Sequence, residues 1–291
     1  MVDDLVARKT WGALEAVHGM IYFAPDAPEA YARIGIESRR MGYFASRSAA
    51  LGVVPAETVI ATFFNFNPAL VRRSVPAAWD LTTPAAMLDA RQEAADRALT
   101  RAFGETLASA ELAEAARLAR QAAEEACLHP EGRPLFAAHA ALPWPDDSEP
   151  HLVLWHAQTL LREFRGDAHV GALLLEGLSG IEALVSHAAA GDVPAEVLRV
   201  SRAWSEEDWS TAVDGLRARG LVEPGGGGDL AFTDRGRAQR QWIEDRTDAL
   251  SAPAYAPLDD WGCSRLRALA RPLRHAVVAA GLLTPGGERG G

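Results

Sequence analysis

The sequence predicts a mainly α-helical fold built from two homologous repeats that pack as an intramolecular pseudo-dimer, with one short β-hairpin in the C-terminal half. Three observations predict it. Apolar residues recur at helical spacing through most of the chain, and Gly- and Pro-rich breaks separate the runs. The nonapeptide that starts at Ala49 recurs at Ala188, 139 residues later, with seven of nine positions identical. Only residues 220–233 hold two short β-like stretches, set around a glycine-rich tip.

The order of the repeat is kept beyond the nonapeptide. Glu37 matches Glu176 at the same offset, and Trp11 pairs with Trp155 after an insertion of about five residues. The helical stretch that ends near Pro145 pairs with the one that ends near Pro285. The halves, residues 1–145 and 146–291, meet in the Pro- and Asp-rich stretch from Pro143 to Pro150.

In the C-terminal half, Val153–Phe164 reads as an amphipathic helix stopped by Gly166 and Asp167, with Asp167 then capping a helix over Val170–Ala190. A short helix follows over Pro194–Arg202. Ser205 with Glu206, Glu207 and Asp208 begins another, because a serine cap followed by acid suits the unpaired N–H groups of a first turn. Gly220 ends that helix, Gly220–Glu223 and Leu230–Thr233 form the hairpin around the tip Gly225–Gly228, and Asp234 begins a helix to about Leu250. The N-terminal half keeps the helices. Between its corresponding helix and the helix Ala85–Phe103, only Asp80 to Pro84 stand where a hairpin would be.

Composition bounds the function. The chain has 291 residues, 39 acidic against 29 basic, for a formal net charge of −10. Apolar residues make up 48% and charged residues 23%, which argues against disorder. The acidic balance counts against a general nucleic-acid binder. Cys127 and Cys263 form no CxxC pair and no disulfide framework. There is no signal-peptide pattern, and the longest uncharged apolar stretch, Thr58–Val71, is too short to span a bilayer. A cytoplasmic protein without membrane contact is expected.

Helix, helix, recognition-position helix, two-stranded wing and long helix is the order of a winged helix-turn-helix. The segment Leu216 to Val222, the tip, and Leu230 to Arg237 together are similar to the multiple-antibiotic-resistance-regulator type of winged helix. Over nearly its full length the chain resembles an actinobacterial family of tandem, degenerate winged helix-turn-helix proteins. The resemblance is carried by Glu15–Pro25, Gly42–Arg47, Thr62–Pro68, Leu161–His169 and Arg202–Ser205. It implies an N-terminal repeat without a wing, a C-terminal repeat with a Gly-rich wing, and one asymmetric cleft between the copies. A built-in pseudo-dimer is consistent with a monomer.

The local charge counts against DNA reading. The first turn of the recognition-position helix, the part that approaches base edges, carries Glu206, Glu207 and Asp208. In the other copy Asn65, Asn67, Arg72 and Arg73 offer DNA contacts, but the wing is missing.

The cleft is where ligand chemistry concentrates. His18 and Tyr22 share a helix face, and Phe23 adds an aromatic wall. Arg39, Tyr43 and Arg47 form a stripe at helical spacing. Arg162, Glu163, Arg165, Asp167 and His169 set five ionisable groups within eight residues, and Asn65 lies in the aromatic run Phe63–Phe66. Arginines beside aromatic rings suit an anionic or aromatic organic ligand. The expected site is therefore His18, Tyr22, Phe23, Arg39, Tyr43, Arg47, Asn65, Arg162, Arg165, Asp167 and His169. Plainer readings stand beside it: the Arg39/Tyr43/Arg47 stripe as the seam between copies, Asp167 as a helix cap, and the aromatic run as core. No nucleotide-binding loop, nucleophile elbow or zinc-protease motif is present, and no cofactor is indicated. The leading expectation is a small-molecule-binding protein. A ligand-responsive DNA-binding regulator is the alternative. The third reading is an enzyme of specialised metabolism, or a haem or metal protein, using His18 with Asp167, His169 with Glu163, or His18, Tyr22 and His169 in the same cleft.

Overall fold

The computed structural model describes residues 2–191, 193–226 and 230–283. Asp192 of the repeated nonapeptide, the tip residues Gly227, Gly228 and Asp229, and Thr284–Pro285 lie outside the described residues.

The chain runs α1 (Asp4–Gly19), a 3₁₀ turn over Met20–Tyr22, α2 (Asp26–Arg33), α3 (Arg39–Ser48), α4 (Ala56–Phe63), α5 (Pro68–Leu81), α6 (Pro84–Phe103), α7 (Ala110–Ala126) and α8 (Pro134–Ala140). It continues with α9 (Pro150–Leu175), α10 (Gly180–Ala189), α11 (Ala195–Ser201), α12 (Glu206–Ala218), β1 (Val222–Pro224), β2 (Leu230–Phe232), α13 (Asp234–Ser251) and α14 (Asp259–Ala279). Among the described residues β1 and β2 form one antiparallel pair, with Val222 opposite Phe232. The fold is mainly α with a single small hairpin, as the sequence predicts. In the N-terminal half Thr83 caps α6 directly after α5, so no strand intervenes.

Three apolar cores organise these elements. The largest joins α1, α6, α7, the first half of α9 and α14 around Leu14, Met20, Leu99, Phe136, Trp155, Phe164 and Leu266. Alanines on α7 (Ala115, Ala119, Ala122, Ala123) are fully or almost fully buried, and their small side chains let α9 approach closely. This core draws on both sides of the 145/146 boundary. A second core, around Phe44, Val59, Phe63, Val71 and Val75, holds α3, α4 and α5 as an N-terminal lobe. A third, around Val185, Val213, Leu216, Val222, Phe232 and Ile243, holds α10, α12, the hairpin and part of α13 as a C-terminal lobe.

The centre of α9 departs from the expected helix break. Gly166 and Asp167 do not stop it; the helix runs unbroken for 26 residues. Burial on nearly all sides outweighs the roughly 1 kcal/mol that a mid-helix glycine costs. The break comes instead at Gly177, whose φ of +66° needs glycine. After it, Ser179 and Glu182 form a reciprocal cap on α10. Asp167 does cap a helix, but another one: its Oδ2 accepts from Phe136 N at 2.9 Å, in the first turn of α8. On α12 the expected cap is present, with Ser205 and Asp208 reciprocally bonded.

The lobes meet turn against turn. Phe64, after α4, and Ala203, after α11, have φ of 52° and 60°, unusual for residues with a side chain, and lie 139 residues apart. Gly52 and Gly191, before α4 and α11, share positive φ at the same offset. Asn67 N donates to Arg202 O at 3.0 Å, and Trp204 Nε1 donates to Asn65 O at 2.9 Å. Gly180 closes the contact: a Cβ there would lie 2.0 Å from Phe64 O.

Candidate functional site

Beneath the joined turns lies a cavity of about 470 Å³, within the size range of small-molecule sites. Helix α1 supplies one wall through Gly12, Glu15, Ala16 and Gly19, where two glycines leave room. Tyr22 and Phe23 follow from the turn after α1, Arg39, Arg40, Tyr43 and Phe44 from α3, and Arg162 from α9. Phe66 and Leu70 of the N-terminal lobe and Ser201 and Arg202 of the C-terminal lobe close it, with Arg274 of α14 and Leu283 after that helix.

Five arginines against one glutamate line this space. Glu15 is engaged, accepting from Arg162 Nε at 2.7 Å. Among the described residues Arg202 has no carboxylate partner. Its Nη1 donates to Ser201 Oγ at 2.8 Å, its guanidinium lies 5.2 Å from the Phe66 ring centre, and its Nε is buried with no hydrogen-bond acceptor. Burial pushes its pKa below the ordinary arginine value, the signature of a desolvated cation without a counter-charge.

The two tyrosines are held from behind. Tyr43 Oη accepts from Arg47 Nη1 at 3.0 Å, and Arg47 also donates two 3.0 Å bonds to Glu163. Burial would raise the Tyr43 pKa, but Arg47, Arg202 and Arg162 outweigh it and set the phenol below its usual 10. Burial likewise opposes the Glu163 carboxylate, yet Arg47 and Arg162 bring it down to about 2.

Tyr22 Oη lies 2.9 Å from His18 Nε2, and His18 Nδ1 lies 2.9 Å from Thr159 Oγ1. Thr159 gives its single proton to Trp155 O at 2.9 Å. It must therefore accept from His18 Nδ1–H, which leaves Nε2 as acceptor for the Tyr22 proton. Burial, then Arg162, Arg91 and Arg47, hold the His18 pKa well below 6.5, so the ring is neutral. Arg162 Nη1 completes the set, donating to Tyr22 Oη at 3.3 Å.

Of the residues expected from sequence, Tyr22, Phe23, Arg39, Tyr43 and Arg162 line the cavity, and His18 and Arg47 support the two tyrosines. Asn65 lies in the joined turns, where its carbonyl takes the Trp204 bond. Arg165, Asp167 and His169 are elsewhere, because the unbroken α9 turns Asp167 about 140° from Arg162 and carries His169 about 10 Å along the axis. Arg165 pairs with Asp248 at 2.6 Å over Trp11. His169 Nδ1 meets Thr247 Oγ1 at 3.0 Å, and burial lowers its pKa to about 4. The pairs His18/Asp167 and His169/Glu163 are not formed. Both ring nitrogens of His18 are committed, which leaves none for iron.

Sequence reasoning missed Arg202, Arg40, Phe66, Leu70 and Ser201. Arg202 stands 139 residues after the core residue Phe63, the same offset that separates Gly52 from Gly191 and Phe64 from Ala203.

Two lobes, each with two helices joined by a turn and only one with a hairpin, over a shared helical core, define a helix-turn-helix protein. The family model described as a helix-turn-helix family matches residues 7–284, and the chain belongs to that family. No curated protein and no solved structure matches the chain. Among the described residues, no single helix is long and apolar enough to cross a membrane.

Proposed function

We propose that the chain is a cytoplasmic tandem winged-helix protein that binds one small anionic aromatic molecule in the cavity between its repeats. The observation that carries this reading is Arg202: a desolvated guanidinium against Phe66, with no acid partner among the described residues, in a cavity walled by Tyr22, Tyr43 and Phe44. An aryl carboxylate, sulfonate or phosphate supplies the missing charge, and the rings supply stacking surface.

The repeat and pseudo-dimer are part of the proposal. Support comes from the paired positive-φ residues at one constant offset, and from a core shared by both halves with a smaller lobe on each side. The DNA-binding alternative draws on the family. Against it stands the turn-to-turn contact. A dimeric helix-turn-helix reader places its recognition helices about 34 Å apart, one helical turn of DNA. Here the turns before α5 and α12 are hydrogen-bonded to each other, Asn67 N to Arg202 O and Trp204 Nε1 to Asn65 O. The first turn of α12 is also exposed and acidic. The neutral, boxed-in His18 favours binding over catalysis, because a proton relay through it would create an imidazolium among three arginines.

Calorimetric titration with naphthalene-2-sulfonate and its neutral sulfonamide tests the reading. The sulfonate binds one per chain, at least tenfold tighter than the sulfonamide, and Arg202→Ala removes the difference. Equal binding of both, or a sulfonate preference that survives Arg202→Ala, would overturn it.

A further inference from the structure

The hydrogen-bond chain behind Tyr22 fixes which way its hydroxyl faces in chemical terms. The Trp155 carbonyl takes the Thr159 proton, Thr159 takes the His18 Nδ1 proton, and His18 Nε2 takes the Tyr22 proton. Tyr22 lines the cavity with no proton left to give; its oxygen already accepts from Arg162 Nη1 at 3.3 Å, and its second lone pair offers only acceptor capacity. Tyr43 differs in its proton: its oxygen accepts from Arg47, as the Tyr22 oxygen does from Arg162, but among the described residues its own proton has no acceptor. The two rings are 5.4 Å apart, so one bound molecule meets both. Tyr43 and Arg202 flank the same Phe66 ring, the Tyr43 ring centre 5.5 Å and the Arg202 guanidinium carbon 5.2 Å from its centre, and both present donors.

From this polarity we infer that the ligand is a hydroxyaryl or aminoaryl acid, whose anionic group takes donors from Tyr43 and Arg202 while its O–H or N–H donates to Tyr22. The inference rests on the binding reading above and sharpens it. A ligand that offered Tyr22 a bare ether or carbonyl oxygen would set two acceptors against each other in a partly desolvated site, where an unmet polar group is costly. Sites built to hydrogen-bond one substrate hydroxyl discriminate strongly against analogues that lack it. The chain of four groups also explains why a histidine is buried completely in an apolar core: it holds one phenol proton in place.

The test uses naphthalene-2-sulfonates carrying hydroxyl or methoxy at the 5-, 6-, 7- or 8-position, titrated calorimetrically into the wild type and Tyr22→Phe. The wild type is expected to prefer the hydroxyl over the methoxy compound by at least tenfold at one ring position. In Tyr22→Phe that ratio falls to near one, whatever the absolute affinities. Methoxy compounds that bind as well as hydroxyl compounds at every position, or a preference that persists in Tyr22→Phe, would overturn the inference and leave the binding reading intact. If no sulfonate binds the wild type, the binding reading itself falls. Nitrogen-15 NMR of His18 gives an independent readout. Nδ1 is expected to be protonated and Nε2 bare from pH 5 to 8; a protonated Nε2 would overturn the assignment.

Discussion

Replacing Asp167 by asparagine tests the account of α8 and α9 in one step. The Asp167 carboxylate, in mid-helix and 8% exposed, caps α8 through Phe136 N, and burial pushes its pKa from the ordinary 3.8 up to about 6. A folded-state pKa above the unfolded one means that the ionised form is disfavoured by folding. The wild type therefore carries no penalty below pH 3.8 and loses stability as pH rises through about 6. A shift of about two units corresponds to roughly 2–3 kcal/mol once partial solvent contact is allowed for. Asparagine keeps the accepting oxygen and removes the ionisation. Asp167→Asn is thus expected to match the wild type near pH 3.5 and to exceed it by roughly 2–3 kcal/mol at pH 7.5, with the gap opening between pH 4 and 6.5. Urea denaturation followed by far-UV circular dichroism at several pH values reads this directly. A variant that is less stable than the wild type at pH 7.5, or whose difference is independent of pH, would refute the reasoning.

Three further outcomes are expected. Glu163→Gln leaves Arg47 buried without its carboxylate and should cost about 3–5 kcal/mol at neutral pH. Because the Glu163 pKa is depressed, that difference is full above about pH 4.5 and shrinks as pH falls towards 2, which acid titration of both proteins checks. Gly180→Ala places a methyl against Phe64 O and should part the two turns, seen as faster hydrogen exchange at the Asn67 amide with the core amides unchanged. In a gel-shift at low salt the wild type should not retard duplex DNA, because α5 and α12 start from two turns that are hydrogen-bonded to each other; retardation that weakens with salt would favour the regulator reading.

How much was legible in the sequence depended on whether the signal was local. The cap at Ser205 and the hairpin follow from short-range chemistry, and they are present where the residues point. The stripe Arg39/Tyr43/Arg47 and the pair His18/Tyr22 were legible as helix faces. Which residue of each faces the cavity and which stands behind was not, since that depends on Glu163 and Thr159 arriving from α9. The reading of Gly166-Asp167 as a stop failed because local propensity was overridden by burial, and the acceptor was spent on α8 instead. That single misreading also displaced Arg165 and His169 from the site. Arg202 was invisible to motif logic because it stands in a turn, apart from any helix-face pattern, and reaches the cavity only through the contact between the two turns.

The central claim is that Arg202 awaits an anionic partner in the cavity between the lobes. Native mass spectrometry of the protein isolated from its own host under non-denaturing conditions tests this most directly. The account predicts one small anionic organic molecule per chain in the wild type and its loss from Arg202→Ala. The same molecule retained equally by both proteins, or a wild type with nothing bound that also fails to take up naphthalene-2-sulfonate, would contradict it.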